Sequence, residues 1–151
     1  MLELATKADW PEICRLAVQI HDLHARWRPD IYFSTDTPYP ETAFEQNVLD
    51  RLVYAAKLER TVVGYVVLSL HKKEGPGVQP HKLMRIDSIC VDEVLRGHGI
   101  GRMMMEDVRA LARAFGCDGI LLGVHPENDA AVSFYQKCGF TIRTIQMESN
   151  T

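Results

Sequence analysis

Arg96-Gly-His-Gly-Ile-Gly101 follows the apolar run Ile86–Val91 and opens a stretch in which Ile100, Met104, Val108, Leu111 and Phe115 recur at three- and four-residue steps. Strand, glycine-rich turn and amphipathic helix in that order make this an α/β chain. Three glycines in six residues leave backbone amides bare and permit positive φ. The helix that follows adds the positive end of its dipole at the same place. Such a turn can hold a pyrophosphate.

Two common phosphate-binding patterns fail on this turn. A nucleoside-triphosphate loop needs Lys-Ser/Thr after its last glycine, and none follows Gly101. The dinucleotide fingerprint G-x-G-x-x-G closes on Arg102 when started at Gly97, and on Met104 when started at Gly99. Both failures oppose a nucleotide-binding domain. The pattern that is met is [R/Q]-x-x-G-x-[G/A], carried by Arg96, Gly99 and Gly101.

Outward from the turn, the chain keeps an α/β order. Leu2–Ala5 reads as a first strand. Asp9 as N-cap, Pro11 in the first turn and Glu12 three residues on predict a capping box for a first helix. That helix carries the stripe Ile13, Leu16, Ile20, Leu23 and Trp27, and Pro29 ends it. A second helix is expected over Glu41–Leu52, and Val53–Leu58 with Val62–Leu70 form an antiparallel hairpin. Lys72–Lys82, with two glycines and two prolines, reads as a loop before the strand Leu83–Val91. The helix after the glycine turn stops at Gly116. Gly119–Val124 reads as a strand buried on both faces, Asn128–Cys138 as a helix stopped by Gly139, and Phe140–Met147 as the final strand.

Composition narrows the class. The 151 residues are one domain's worth, and 46% hydrophobic with 25% charged residues is ordinary globular usage. A net charge of −3 without a long basic run offers no electrostatic footprint for nucleic acid. Cys14, Cys90, Cys117 and Cys138 show no C-x-x-C spacing and sit in apolar segments, so they read as buried hydrophobes and not as a metal or redox site. No signal-peptide pattern and no bilayer-length apolar run is evident, so a cytoplasmic protein without membrane contact is expected.

A second motif joins the first. Asn128-Asp-Ala-Ala-Val-Ser-Phe-Tyr-Gln-Lys-Cys-Gly-Phe140 resembles the N-x-x-A-x-x-F-Y-x-x-x-G-F stretch of the GNAT superfamily of acyl-CoA-dependent N-acyltransferases, and the glycine turn is similar to that family's. The resemblance spans nearly the whole chain and is most specific over Ile86–Phe140. It implies one GNAT-type domain over residues 1–151. The implied fold has three layers, with a mixed, centrally splayed sheet of about six strands and about four flanking helices. The family often adds two strands after its last helix, where this sequence supplies only Phe140–Thr151. Either one long strand closes the sheet or a neighbouring copy does so in a homodimer.

The resemblance also implies a reaction: an acetyl group moves from acetyl-CoA, a cosubstrate, to a primary amine by direct attack in a ternary complex. The alternative is a non-catalytic acyl-CoA binding or sensing module of the same fold. The backbone of Ile89, Cys90 and Val91 maps onto the pantetheine-binding strand. Amides of Gly97, His98, Gly99, Ile100, Gly101 and Arg102 map onto the pyrophosphate, with Arg96 and Arg102 as cationic contacts. Asn128 reads as an N-cap that can also hold CoA. Tyr135 maps onto the general acid, able to protonate the leaving thiolate or stabilise its charge. An alkylamine must lose a proton before it attacks, and Asp87, His125 or water can accept it. The acceptor side falls to the first helix and its exit, where His21, His24, Arg28, Asp30, Tyr32 and Phe33 cluster, with His24 and Asp30 expected to face the amine. The competing reading of that cluster is a solvated helix face before a packed aromatic turn. No metal site is expected.

Overall fold

The computed structural model describes all 151 residues. In chain order the elements are β1 (Leu2–Leu4), α1 (Trp10–Trp27), α2 (Glu41–Leu49), β2 (Val53–Leu58), β3 (Thr61–Gly75), β4 (Val78–Val91), α3 (Ile100–Ala114), β5 (Gly119–Leu122) and α4 (Asp129–Lys137). The five strands lie side by side in sequence order, antiparallel except for the parallel pair β4–β5.

Strand alternation divides the core into two layers, because successive side chains point to opposite faces. Val66, Leu68, Met84 and Ile86 pack on one face with Met104, Met105 and Val108 of α3. Tyr65, Val67, Val53 and Ala55 point to the other face, against Ile13 and Leu16 of α1 and Phe44 of α2. Gly64 is where α3 comes closest to the sheet. A Cβ there would lie 2.9 Å from both the Cys90 carbonyl and the Met104 sulfur.

The decisive feature for function is where β4 and β5 stop pairing. They are in register only from Leu83–Gly119 to Ile86–Leu122. Beyond that point Ser88–Val91 keep β3 as their only partner strand, Asp87 is the extra residue of a bulge, and the β5 side of this backbone has no strand partner.

Several expectations need correction. Residues 72–82 form the tip of a long β3–β4 ribbon, not a loop, with Lys72 opposite Lys82 and Lys73 opposite His81. Its breakers serve the turn: Gly75 and Gly77 take φ of 137° and 72° around Pro76, while the flanking polar residues give no apolar alternation to betray a strand. Asp9 caps nothing. Its carboxylate accepts from the Thr6 amide at 2.8 Å and pairs with Lys57 at 2.9 Å, while Glu12 turns to Arg15. The second helix ends at Leu49. β5 ends at Leu122 and is half-buried throughout, because its outer edge has no partner strand. No strand forms over Phe140–Met147, and Ile142, Ile145 and Met147 are exposed. Strand propensity needs a neighbouring edge to express itself, so the sheet has five strands where about six were expected. All four cysteines are free, and only Cys14 and Cys90 are fully buried. No helix is long and apolar enough to cross a membrane.

Candidate active site

One part of the candidate site, the expected donor side, is made of backbone. Gly97 and Gly99 take φ of 82° and 84°, and Gly99 is the N-cap of α3 in the left-handed conformation that glycine adopts without penalty. A Cβ on either would meet no atom within 4 Å, so the space above the turn is open. Gly101 has a different duty: a Cβ there would lie 3.3 Å from the Phe134 ring, so its absence lets α4 approach α3. Arg96 folds back, its Nε donating to the Val91 carbonyl at 3.0 Å. His98 sits over the turn's own carbonyls, with Nδ1 3.2 Å from that of Leu95. Arg102 is exposed.

The turn is also anchored from behind. Asp92 is buried and accepts from Arg15 at 2.9 Å and from Gln19 at 3.2 Å, both on α1. The Gln19 side-chain oxygen in turn accepts from the Glu93 amide at 3.0 Å. Burial alone pushes the Asp92 carboxyl up, yet the donors from Gln19 and Arg15 outweigh it and hold the group below the usual carboxylate range. The sequence gives little warning of this strap, because its partners lie more than seventy residues apart.

Tyr135 lies on α4, half-buried between Phe134 and Phe140, with ring centroids 5.4 and 5.8 Å away. Burial, with smaller contributions from Cys138 and Cys90, pushes its phenol up to about 12, so the O–H is intact at neutral pH. Burial likewise pushes the Cys90 thiol up to about 11 against the pull of Arg96, which makes it a poor nucleophile. Asn128 caps α4, its side-chain oxygen accepting from the Ala131 amide at 3.2 Å.

The other part, the expected acceptor side, is made of side chains. A cavity of about 260 Å³ opens between α1 and the strands, next to the point where β4 leaves β5. His21 and His24 line it from α1 beside Ala17 and Ile20, Pro38 and Tyr39 close one end, and Tyr65, Val67, Asp87 and Ser88 come from the sheet. Asp87 Oδ1 lies 3.3 Å from Arg85. The Tyr65 hydroxyl is 2.7 Å from Ser88 Oγ, and the Tyr39 hydroxyl accepts from Asn47 at 2.6 Å. Burial, then the charges of His125 and His21, keep His24 towards its neutral form.

His125 lies behind His24, with rings 6.1 Å apart, and its Nδ1 is 2.7 Å from Glu127. Tyr32 packs on both His21 and His24. Arg28 and Asp30 instead hold each other through two hydrogen bonds of 2.9 and 2.7 Å, and Arg28 also reaches Glu148. Asp30 is therefore turned to Arg28, not to the cavity. Phe33 is 81% exposed, and its carbonyl lies 2.7 Å from His21 Nε2.

Residues 17–140 match the family described as the Acetyltransferase (GNAT) family. The chain belongs to it. N-alpha-acetyltransferase RimI of Mycobacterium tuberculosis is 30% identical over 110 residues, covering 72% of this chain and 65% of that protein. An uncharacterized protein of Mycobacterium leprae is 28% identical over 72% of this chain and 29% of its own. The matched region thus spans less than two thirds of either relative. Among solved structures, a mutant BH1408 protein from Bacillus halodurans is 32% identical, with a TM-score of 0.95 over 100% of this chain and 99% of that one. Aminoglycoside N-acetyltransferase AAC(6')-Iy in complex with CoA shares the fold at 15% identity and a TM-score of 0.66, over the full length of both chains.

Within this GNAT chain, sequence reading missed Tyr39, Tyr65 and Ser88 of the cavity and the Glu127 partner of His125. Tyr65 and Ser88 sit in apolar strands where only a neighbour across the ladder shows their use. Glu127 two residues after His125 was the one local signal available.

Proposed function

We propose that this GNAT chain transfers an acetyl group from acetyl-CoA to a primary amine by direct attack, with both substrates bound at once. One observation carries the reading. The Asp87–Val91 backbone, without a strand partner on its β5 side, joins an open, left-handed glycine turn at one end to a separate cavity at the other. The turn's amides and the α3 dipole suit a pyrophosphate. The backbone of Ile89, Cys90 and Val91 suits an extended amide-bearing arm, and Arg96, Arg102 and Asn128 flank its path. Acetyl-CoA, when bound, would supply the thioester and the acceptor would supply the amine.

The amine nitrogen attacks the thioester carbonyl carbon, the N–C bond forms and the C–S bond breaks with its electron pair on sulfur. A phenol near 12 is a weaker acid than a thiol near 8.5. Tyr135 therefore acts as general acid chiefly by donating a hydrogen bond to the developing thiolate. The proton lost by the amine goes to Asp87 in the cavity, or to His125 behind it, or to water. The buried, raised Cys90 thiol beside this path is a poor nucleophile, which supports direct attack over a covalent acyl intermediate on it. We place the protein in the cytoplasm, and assign the open β5 edge to a homodimer contact that sedimentation can test.

Calorimetry of CoA binding together with thiol release from acetyl-CoA over an amine panel tests the main reading. The expected result is binding with amine-dependent release. Binding without release on any amine would leave a non-catalytic acyl-CoA sensor.

A further inference from the structure

We infer that the acceptor is a small free monoamine, with a single ammonium group on an apolar or aromatic body. This rests on the acetyl-transfer reading above and names its substrate class.

Charge comes first. Among the residues lining the cavity, Asp87 is the one with a permanent charge, and no lysine or arginine joins it. Only its Oδ1 is engaged, by Arg85 at 3.3 Å, which leaves Oδ2 for an ammonium group. The two lining histidines bring no second anion, and His24 is held towards neutral. A phosphate or carboxylate on the acceptor would enter with no cation to receive it. A second ammonium would enter with no carboxylate of its own.

Apart from Ser88, the rest of the lining is apolar or aromatic. Ile20, Val67 and Pro38 offer no polar atom from their side chains. Tyr39 and Tyr65 stack on each other at 6.5 Å. The Tyr65 hydroxyl is paired with Ser88, while that of Tyr39 accepts from Asn47 and keeps its own O–H as a donor. Most of what the two rings add to the wall is aromatic surface, which suits both an ammonium and an aromatic ring.

Size sets the last limit. The cavity opens to solvent, and its 260 Å³ or so is the room of roughly nine waters at about 30 Å³ each, which bounds the part of the acceptor held inside it. A phenylethylamine-sized molecule fits this description. A phosphosugar exceeds it, and a spermidine of similar bulk carries the wrong charge.

The test is thiol release from saturating acetyl-CoA with 2-phenylethylamine, isopentylamine, spermidine, glucosamine 6-phosphate and a lysine-containing peptide. The two monoamines are expected to show kcat/KM at least about tenfold above the others. Any of the others matching or exceeding them overturns the inference while leaving acetyl transfer intact. Acetyl-CoA binding with no release on any acceptor overturns the transfer reading itself, and the inference with it. Ile20→Glu adds a second carboxylate to the wall and is expected to shift the spermidine-to-phenylethylamine ratio upward by about tenfold. An unchanged ratio in the folded variant places the acceptor outside this cavity.

Discussion

The two sides of the proposed site are built from different materials. The proposed donor side is a backbone surface drawn from two short stretches, Asp87–Arg102 and Asn128–Tyr135. The proposed acceptor side is a side-chain surface whose lining runs from Ala17 to Ser88 and crosses α1, the 38–39 turn, β3 and β4. A backbone site is specified by residues that free or shape the chain locally, so its requirements are written in consecutive positions. A side-chain cavity is specified by what the fold brings together, and each contributor has an ordinary local role. The difference predicts that donor-side changes abolish binding or turnover, whereas acceptor-side changes retune them.

The largest expected effect is at the glycine turn. Gly99 holds φ of 84° with nothing near its missing Cβ, so a side chain costs about 1–2 kcal/mol in backbone strain without a clash. Gly99→Glu adds a carboxylate at the anion site and is expected to weaken CoA at least ~100-fold by calorimetry. Gly99→Asn keeps the site neutral and tolerates positive φ, so affinity should stay within about tenfold. Equal losses in both variants would make the turn a matter of conformation alone and remove the phosphate from it.

Tyr135→Phe comes next. It removes one hydroxyl from a half-buried ring already held by Phe134 and Phe140. Turnover is expected to fall roughly 10²-fold, as for loss of a preorganised donor to developing negative charge, with CoA affinity changed less than about threefold. Steady-state kinetics beside calorimetry separates the two. Unchanged turnover would take Tyr135 out of the mechanism.

The same contrast explains what the sequence made legible. The glycine turn and the Asn128–Phe140 motif announced the family, because Gly99, Asn128 and Tyr135 sit at spacings set by one turn and one helix. Most strands and helices followed from apolar period. Lys72–Lys82 misled because its glycines and prolines mark only the tip of a polar ribbon. Phe140–Met147 misled because its alternation has strand character while no edge pairs with it. On the acceptor side His21 and His24 were visible as a polar helix face. Arg28 and Asp30 looked equivalent to them until their mutual pairing removed both. Tyr39 and Tyr65 carried no signal, since an aromatic in a turn or a strand reads as packing.

Asp92 joins the two sides, tying the start of the glycine turn to Arg15 and Gln19 of α1. Asp92→Asn keeps the shape but weakens the ionic donors, and is expected to cost about 1–3 kcal/mol of stability in urea unfolding near neutral pH. The sign with pH follows from the native carboxyl lying below its ordinary value of 3.8. Its contribution is full above that value and is lost as pH falls through the lower native value. The difference between wild type and Asp92→Asn should therefore shrink on acidification below about pH 4. A difference constant with pH would mean that the strap works by shape and not by charge.

The smallest effect belongs to the acceptor rim. Glu127 is half-exposed, and its bond to His125 Nδ1 holds its carboxyl below the usual range. That bond orients the ring through Nδ1 and leaves Nε2 without a partner, with the His24 and Trp27 rings 6.1 and 5.9 Å from the imidazole. Glu127→Gln retains an accepting oxygen and loses the charge, so turnover at pH 7.5 should change by less than about threefold. His125→Asn tests the ring itself. If His125 takes the proton from the amine, turnover in that variant falls at least about tenfold with CoA affinity unchanged. Unchanged turnover assigns proton removal to Asp87 or to water, and makes the imidazole–carboxylate pair a wall of the site with no part in the proton's path.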